Sequence, residues 1–435
     1  MVKKEVFKEI IRSFQTRPVP PVKKRFISVP LDSGKVVAVS GVRRSGKTFL
    51  LLDAVSRLLA RGADIRGIIY VNFEDERLEA GRDDLDLILQ AYGELYPDAD
   101  LSKSYFFFDE IQNVEGWEKF VRRVYDSVSK NVFLTGSNSK LLSTDISTSL
   151  RGRNLTYEVY PLSFREYLSF SGTAAEMYPA ASRNRVAAKS EEYLRAGGFP
   201  EVLSMEEGLR VKTLQEYFNV MLFKDLIERY ERKPHAHLLK YFIKRLLACI
   251  STPVSVHKIY NELHSQGYKA DKNLLYELLE ELRAIYFFFP LKKYNESLIK
   301  REGSEKKIYV VDNGLATSVS FGFSEDRGKL LENAVFTELH TAGSEIYYIK
   351  GGSECDFVRL NEQGPPEVFQ AACDLTSPST KKREFSGLIK ACKSLNLAAG
   401  KIVTWSEEYE ERLDGVTVRA LPFYKWALEF PIRSH

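Results

Sequence analysis

The stretch Gly41-Val42-Arg43-Arg44-Ser45-Gly46-Lys47-Thr48 satisfies G-x-x-x-x-G-K-[ST] at every fixed position. It follows the apolar, β-branched run Lys35-Val36-Val37-Ala38-Val39 and precedes Leu50 to Leu59, whose apolar residues fall at helical spacing. Strand, glycine-rich loop and helix in that order are the context in which this string cradles the phosphates of a nucleotide. Glycines at 41 and 46 let the loop wrap with its N–H groups inward, and the helix N-terminus adds the positive end of a dipole. Arg43, Arg44 and Ser45 complete the loop. The motif assigns Lys47 to the β- and γ-phosphates and the Thr48 hydroxyl to Mg2+, so ATP and Mg2+ are the expected cofactors.

Working outward, Gly67 to Phe73, Tyr105 to Phe108 and Val132 to Thr135 read as buried strands, and Trp117 to Val128 as a helix. Strands alternating with helices imply a parallel sheet with crossovers. The aromatic strand ends in Asp109-Glu110. A strand end sets two adjacent carboxylates in distinct roles: Asp109 in the Mg2+ shell, Glu110 polarising the attacking water. The next strand ends in Thr135-Gly136-Ser137-Asn138-Ser139. Asn138 is the first candidate to orient that water and Ser137 the second, while a turn or N-cap explains the same residues without chemistry. Glu74 and Asp75, after the second strand, either support this site or cap the sheet.

The chain has 435 residues, 44% hydrophobic and 28% charged. That length exceeds one core and the composition excludes a largely disordered protein. Its longest apolar runs, such as Ala284 to Phe289, fall far below the roughly 18 residues that span a bilayer. Four dispersed cysteines without a C-x-x-C pair argue against disulfides and zinc. With no apolar signal core at the N-terminus, a cytoplasmic, membrane-free protein is expected. The net charge of +4 hides an asymmetry: residues 1–37 carry nine Lys/Arg against three Asp/Glu, and residues 235–310 thirteen against eight. Two basic zones on an otherwise acidic chain hint at a polyanion.

Residues 160–234 read as mainly helical. Beyond them come three helical patterns, Leu238 to Cys249, Ser255 to Gln266 and Asp271 to Arg283, then the aromatic run to Phe289 and a basic hairpin to Val311. Three helices followed by a hairpin is the order of a winged helix. Its second motif helix is rich in Glu and poor in donors, unsuited to reading base edges. Lys269, Lys272, Lys292 and Lys293 are the candidate DNA-binding residues, contacting phosphates without sequence preference. A winged helix that only contacts protein is the competing reading.

The chain resembles the AAA-type ATPases of bacteria and archaea that carry a C-terminal domain of unknown function. The resemblance rests on Gly41 to Thr48, Tyr70 to Leu78, Asp109 to Asp126, Leu134 to Leu142, Pro161 to Tyr167, Gly197 to Pro200, Leu331 to Leu339 and Glu354 to Phe357. It implies an α/β P-loop AAA+ ATPase with a helical lid, then an α+β winged helix and an α/β nuclease-like domain. The expected boundaries are 1–30 for a basic arm, 31–165 for the ATPase core, 166–234 for the lid, 235–324 for the winged helix and 325–435 for the last domain. Members of this class assemble into rings, here a hexameric homo-oligomer, in which a neighbour's arginine completes the site. Arg153 is the preferred trans arginine, with Arg151 beside it and Arg122 and Arg123 as rivals. In the last domain the PD-(D/E)XK nuclease pattern is met by Asp356 and Gln370, with Glu332 as a third ligand. Ala372 stands where an active enzyme has lysine, and Lys381 or Lys382 would have to reach back, so a degenerate nuclease site is expected. The reading that follows is an ATP-hydrolysing ring acting on DNA, branched DNA and Holliday junctions included. The alternatives are a signalling or assembly ATPase holding protein partners, or an ATP-regulated nuclease.

Overall fold

A computed structural model describes residues 3–79, 81–137, 150, 152–227, 236–268, 271–295, 297–302, 304–351, 353–361 and 364–430. The chain divides into two compact units, Met1–Tyr160 and Pro161–Arg433.

The first unit runs α1 (Lys4–Thr16), β1 (Val36–Gly41), α2 (Lys47–Ala60), β2 (Ile68–Asn72), α3 (Asp86–Leu95), β3 (Tyr105–Asp109), α4 (Trp117–Ser127), β4 (Val132–Gly136) and β5 (Asn154–Val159). Its strands form one parallel sheet in the order β2-β3-β4-β1-β5. A parallel sheet is covered on both faces, which is why β3 is an unbroken aromatic run. Phe106 and Phe108 enter one core with Val121 and Leu134. Phe107, pointing the other way, enters a second core with Val37 and Leu51 and stacks on Phe133 at 4.7 Å.

The expected basic arm opens with a helix, α1. In α1, Phe7, Ile10 and Ile11 are buried and Phe14 stacks on Tyr70 at 4.5 Å. This is the i, i+3, i+4, i+7 stripe of a helix lying on a sheet. Two of its lysines are committed to ion pairs, Lys4 and Lys8 both reaching Glu94. The positive balance of 1–37 is therefore partly neutralised at its root.

The second unit begins with α5 (Phe164–Phe170), α6 (Ala180–Ala196) and α7 (Glu207–Val220), the helices expected as an ATPase lid. Next come α8 (Ala236–Ala248), β6 (Pro253–Val254), α9 (Val256–Ser265), α10 (Lys272–Ala284), β7 (Phe288–Leu291), the short helix Leu298–Glu302 and β8 (Lys306–Val310). The three strands make a small antiparallel sheet, β6-β8-β7. After α11 (Asn313–Val319) come α12 (Arg327–Thr341), β9 (Glu345–Lys350), β10 (Glu354–Leu360), β11 (Glu367–Ala372), α13 (Pro378–Ser394), β12 (Ala399–Thr404), β13 (Tyr409–Leu413), β14 (Val416–Pro422) and α14 (Phe423–Glu429). Their six-stranded mixed sheet has the order β13-β14-β12-β11-β10-β9, with β11 and β12 parallel.

The helices α5 and α6 pack within this second unit. Phe164 of α5 and Tyr193 of α6 both lie against Phe423 of α14, with ring centroids 5.7 and 6.0 Å apart. Polar contacts fix the same arrangement. Asn313 Nδ2 donates to the carbonyls of Leu194 at 2.7 Å and Leu330 at 2.9 Å. Glu338 Oε1 of α12 accepts from the Phe164 N–H at 2.6 Å and the Tyr193 hydroxyl at 3.1 Å.

Glu338 carries a pH signature. Burial pushes its carboxyl up from 4.5 to about 7, against the pull of those two donors. Between these values the folded chain holds more protons than the unfolded chain, so stability falls as pH rises through the window. Glu338→Gln keeps an accepting oxygen and removes the buried charge. It should match the wild type at pH 5 and exceed it at pH 8 by on the order of 2–3 kcal/mol. Thermal melts at both pH values check this, and equal melting temperatures at pH 8 would refute it.

Candidate functional site: a phosphate-binding loop and two carboxylates

The loop between β1 and α2 is shaped by close backbone approach. A Cβ on Gly41 would lie 2.0 Å from the Val159 carbonyl oxygen, and the φ of Gly46 is +99°. Both glycines are therefore required. The Ser45 hydroxyl donates to the carbonyls of Val42 at 2.7 Å and Val159 at 3.0 Å, tying the loop to β5. Arg25 donates to the Ser45 carbonyl at 2.9 Å and the Tyr160 carbonyl at 3.0 Å. Arg43 pairs with Glu74 at 2.6 Å, so Glu74 supports the loop. Arg44 sits at φ +67° in the same turn.

Lys47, buried, donates to the Val42 carbonyl at 3.2 Å and lies 3.4 Å from Glu110. Asp109 accepts from Tyr70 Oη at 2.7 Å, from the Thr135 hydroxyl and from Thr48. Burial raises its carboxyl despite these donors. Burial would also raise Glu110, but Lys47, Gln112 and Arg43 outweigh it and hold its carboxyl below the ordinary range. The sheet order explains the layout. β4 lies between β1 and β3, and its Thr135 fixes the acidic pair, accepting the Glu110 N–H at 2.8 Å while donating to Asp109.

Gln112, two residues past Glu110, donates to Glu110 at 2.5 Å and approaches the Ser137 hydroxyl at 3.4 Å. Nothing in its spacing marked it beforehand. Asn138 and Arg151 lie outside the described residues. Arg153 precedes β5, and its carbonyl accepts the Val36 N–H at 2.8 Å. It thus sits at the start of β1, about 17 Å along the strand from the phosphate loop. Its guanidinium pairs with Asp126 at 3.1 Å, which Arg122 also approaches at 3.6 Å; Arg123 pairs with Asp86. The donor set of Thr48 and Asp109, a hydroxyl and a buried carboxylate in contact, suits Mg2+.

The second unit gathers the nuclease-pattern residues around an unforeseen lysine. Lys307 of β8 places Nζ 3.2 Å from Glu332, 2.7 Å from Glu354 and 3.0 Å from Asp356. Burial alone would lower its pKa, but Tyr309 and the three carboxylates outweigh it and keep it protonated. Gln370 does not face that cluster with a free amide. Its Oε1 accepts the Asp356 N–H at 3.1 Å and its Nε2 donates to Glu384 at 2.6 Å. The donor set does not fit Mg2+, because an ammonium already binds the three carboxylates. Among the described residues no group of three or more His, Cys, Asp or Glu is arranged to hold a metal ion. Lys381, a candidate for the missing electrophile, pairs with Glu411 at 2.6 Å.

The lysines expected to contact DNA are dispersed. Lys269 lies outside the described residues. Lys272 is half-buried at the start of α10. Lys292 and Lys293 are half-buried where the chain docks beside β9: Tyr348 N–H donates to the Lys292 carbonyl at 3.1 Å and Lys293 bridges Tyr348. They were expected to contact phosphates, and this backbone pairing makes their segment part of a joint. All four cysteines are free, and among the described residues no helix is long and apolar enough to cross a membrane.

Five parallel strands in this order, with a phosphate loop after β1 and the acidic pair after β3, define a P-loop AAA+ fold, and the AAA domain family matches residues 33–168. A domain family of unknown function matches residues 187–326. The chain belongs to the family of an uncharacterised protein of Methanocaldococcus jannaschii, 33% identical over 98% of this chain and 96% of that one. An uncharacterised protein of Haemophilus influenzae is also 33% identical, over 75% of this chain and 80% of its own. The structure of the Aeropyrum pernix ORC1 protein in complex with DNA aligns at a TM-score of 0.30 and 14% identity, covering 74% of this chain and 91% of that one. At that level of likeness nothing follows from it for this chain.

Proposed function

We propose that the chain hydrolyses ATP and couples the cycle to DNA held by its second unit. The observation that carries the reading is the convergence of Lys47 and Thr48, after β1, on Asp109 and Glu110, after β3, the acidic pair being held by Thr135. Thr48 and Asp109 would hold Mg2+, which neutralises phosphate charge when bound. Loop N–H groups and Lys47 orient the phosphates, and Glu110, fixed by Gln112, accepts the proton of the attacking water. Arg153, remote from its own loop, would act in a neighbour's site in a ring.

DNA contact finds support in the arrangement α8, β6, α9, α10, β7, β8, which has the order of a winged helix. The exposed face of α10 carries Asn273, Tyr276, Glu277 and Glu280, so phosphates are the target and bases are not. Lys244, Lys258 and Lys300 of the same segment are exposed. The test is ATP turnover with linear, single-stranded and four-way DNA at about 50 and 200 mM salt. One DNA form should stimulate turnover, with binding that weakens steeply as salt rises. Arg153→Ala should abolish turnover and leave ATP affinity within about threefold. Failure to bind any DNA at the lower salt would transfer the reading to a signalling or assembly ATPase with protein partners.

A further inference from the structure

The three carboxylates around Lys307 come from two elements, Glu332 from α12 and Glu354 and Asp356 from β10. The lysine comes from a third, β8 of the small sheet. An ammonium has three N–H donors, and here three separate carboxylates lie within 3.2 Å of it. Its side chain is 1% exposed, and the ammonium lies 5.6 Å above the Tyr348 ring. Neighbouring groups bind the same carboxylates, Tyr309 at the very Glu332 oxygen that Lys307 reaches and the Ala371 N–H at the other oxygen of Asp356. The Tyr309 hydroxyl donates to Glu332 at 2.7 Å, and the Ala371 N–H donates to Asp356 Oδ2 at 3.1 Å.

In the nuclease pattern that the last part of the sequence resembles, carboxylates at the positions of Glu332 and Asp356 hold a divalent ion. This chain brings the same two positions, and Glu354 beside them, to a covalently attached cation. Glu332 and Asp356 cannot be drawn into the interior together, with the partly exposed Glu354 beside them, without positive charge between them, and Lys307 supplies it. Mg2+ demands oxygen ligands at about 2.0–2.1 Å, a far tighter shell than an ammonium takes. We propose that Lys307 is a built-in cation standing in for the divalent ion. The cluster is then a metal-independent joint between the β8 hairpin and the nuclease-like sheet, and deleting the ammonium converts it into a divalent-cation site.

The experiment uses the full-length, nucleotide-free chain with Mn2+ as the probe, followed by electron paramagnetic resonance and by thermal melts. The wild type should take no Mn2+ that Asp356→Asn removes, and its melting temperature should not change at about 1 mM Mn2+. Lys307→Met keeps the length of the stem. It should melt lower than the wild type, bind one Mn2+ roughly tenfold or more tighter than the wild type, and regain melting temperature with it. Adding Asp356→Asn to that variant should abolish both effects. Should Lys307→Met not fold, Lys307→Met with Glu332→Gln removes one charge of each sign and is read in the same way. A folded Lys307 variant that takes no Mn2+ overturns the proposal. So does a wild-type Mn2+ site lost on Asp356→Asn.

Discussion

Glu110→Gln is expected to bind ATP within a few-fold of the wild type and to turn it over at least about 100-fold more slowly. The side chain sits at the end of a strand buried on both faces, with its backbone at φ +51° and its N–H held by Thr135. Its position is therefore set by the sheet, and the amide will occupy the same place. Gln112 can still donate to the remaining oxygen. What is lost is the ability to take a proton. The wild-type carboxyl lies below its ordinary range because Lys47, Gln112 and Arg43 outweigh burial, so the base is already ionised at neutral pH. Turnover should accordingly show no acid limb from Glu110 between pH 6 and 8. Lys47 loses an anionic partner at 3.4 Å in the variant, which leaves it free for phosphate and keeps affinity from falling. Phosphate release and calorimetric ATP titration measure the two quantities separately. A variant that hydrolyses within about tenfold of the wild type removes Glu110 from the role of base.

Most of the first unit was legible because its strands are buried on both faces and its loop motif has fixed positions. β5 was not, since Asn154 to Glu158 are largely exposed and polar on the sheet edge. The helix α1 was obscured by its lysines, although Phe7, Ile10, Ile11 and Phe14 carry the helical spacing. The helices of 164–220 were readable as helices, but their partners were not. Those partners are set by single polar groups such as Asn313 and Glu338, more than a hundred residues away in the chain. Lys307 escaped notice for the same reason, lying 49 residues from Asp356. One signal existed. In Lys306-Lys307-Ile308-Tyr309-Val310 the lysine at 307 shares the inward face with Tyr309, so strand alternation buries a charge that must find acids.

Gly314→Ala should destabilise the second unit by about 4 kcal/mol, from overpacking compounded by lost buried hydrogen bonds. A Cβ at Gly314 would lie 1.9 Å from the Ala196 carbonyl oxygen and 2.5 Å from its carbon, both backbone atoms that no rotamer change can move. The two segments are pinned on either side of this contact. Asp312 caps α11 by accepting the Leu315 N–H at 2.9 Å and also accepts the Gly198 N–H at 2.7 Å. Asn313 donates to the Leu194 carbonyl one turn back on α6. Relief of the clash must therefore pry α11 from the end of α6 and leave buried N–H groups without acceptors. Gly197 belongs to the same contact, since its own Cβ would fall 2.1 Å from Asp312 Oδ1. Gly322→Ala is the matched control, because a Cβ there meets nothing within 4 Å and the change should be neutral or slightly stabilising. Calorimetric melts of the two variants beside the wild type decide the matter. A loss below about 1 kcal/mol for Gly314→Ala would mean that the α6–α11 junction yields, and that Gly197-Gly198 and Asp312 to Gly314 are not the two halves of one rigid contact.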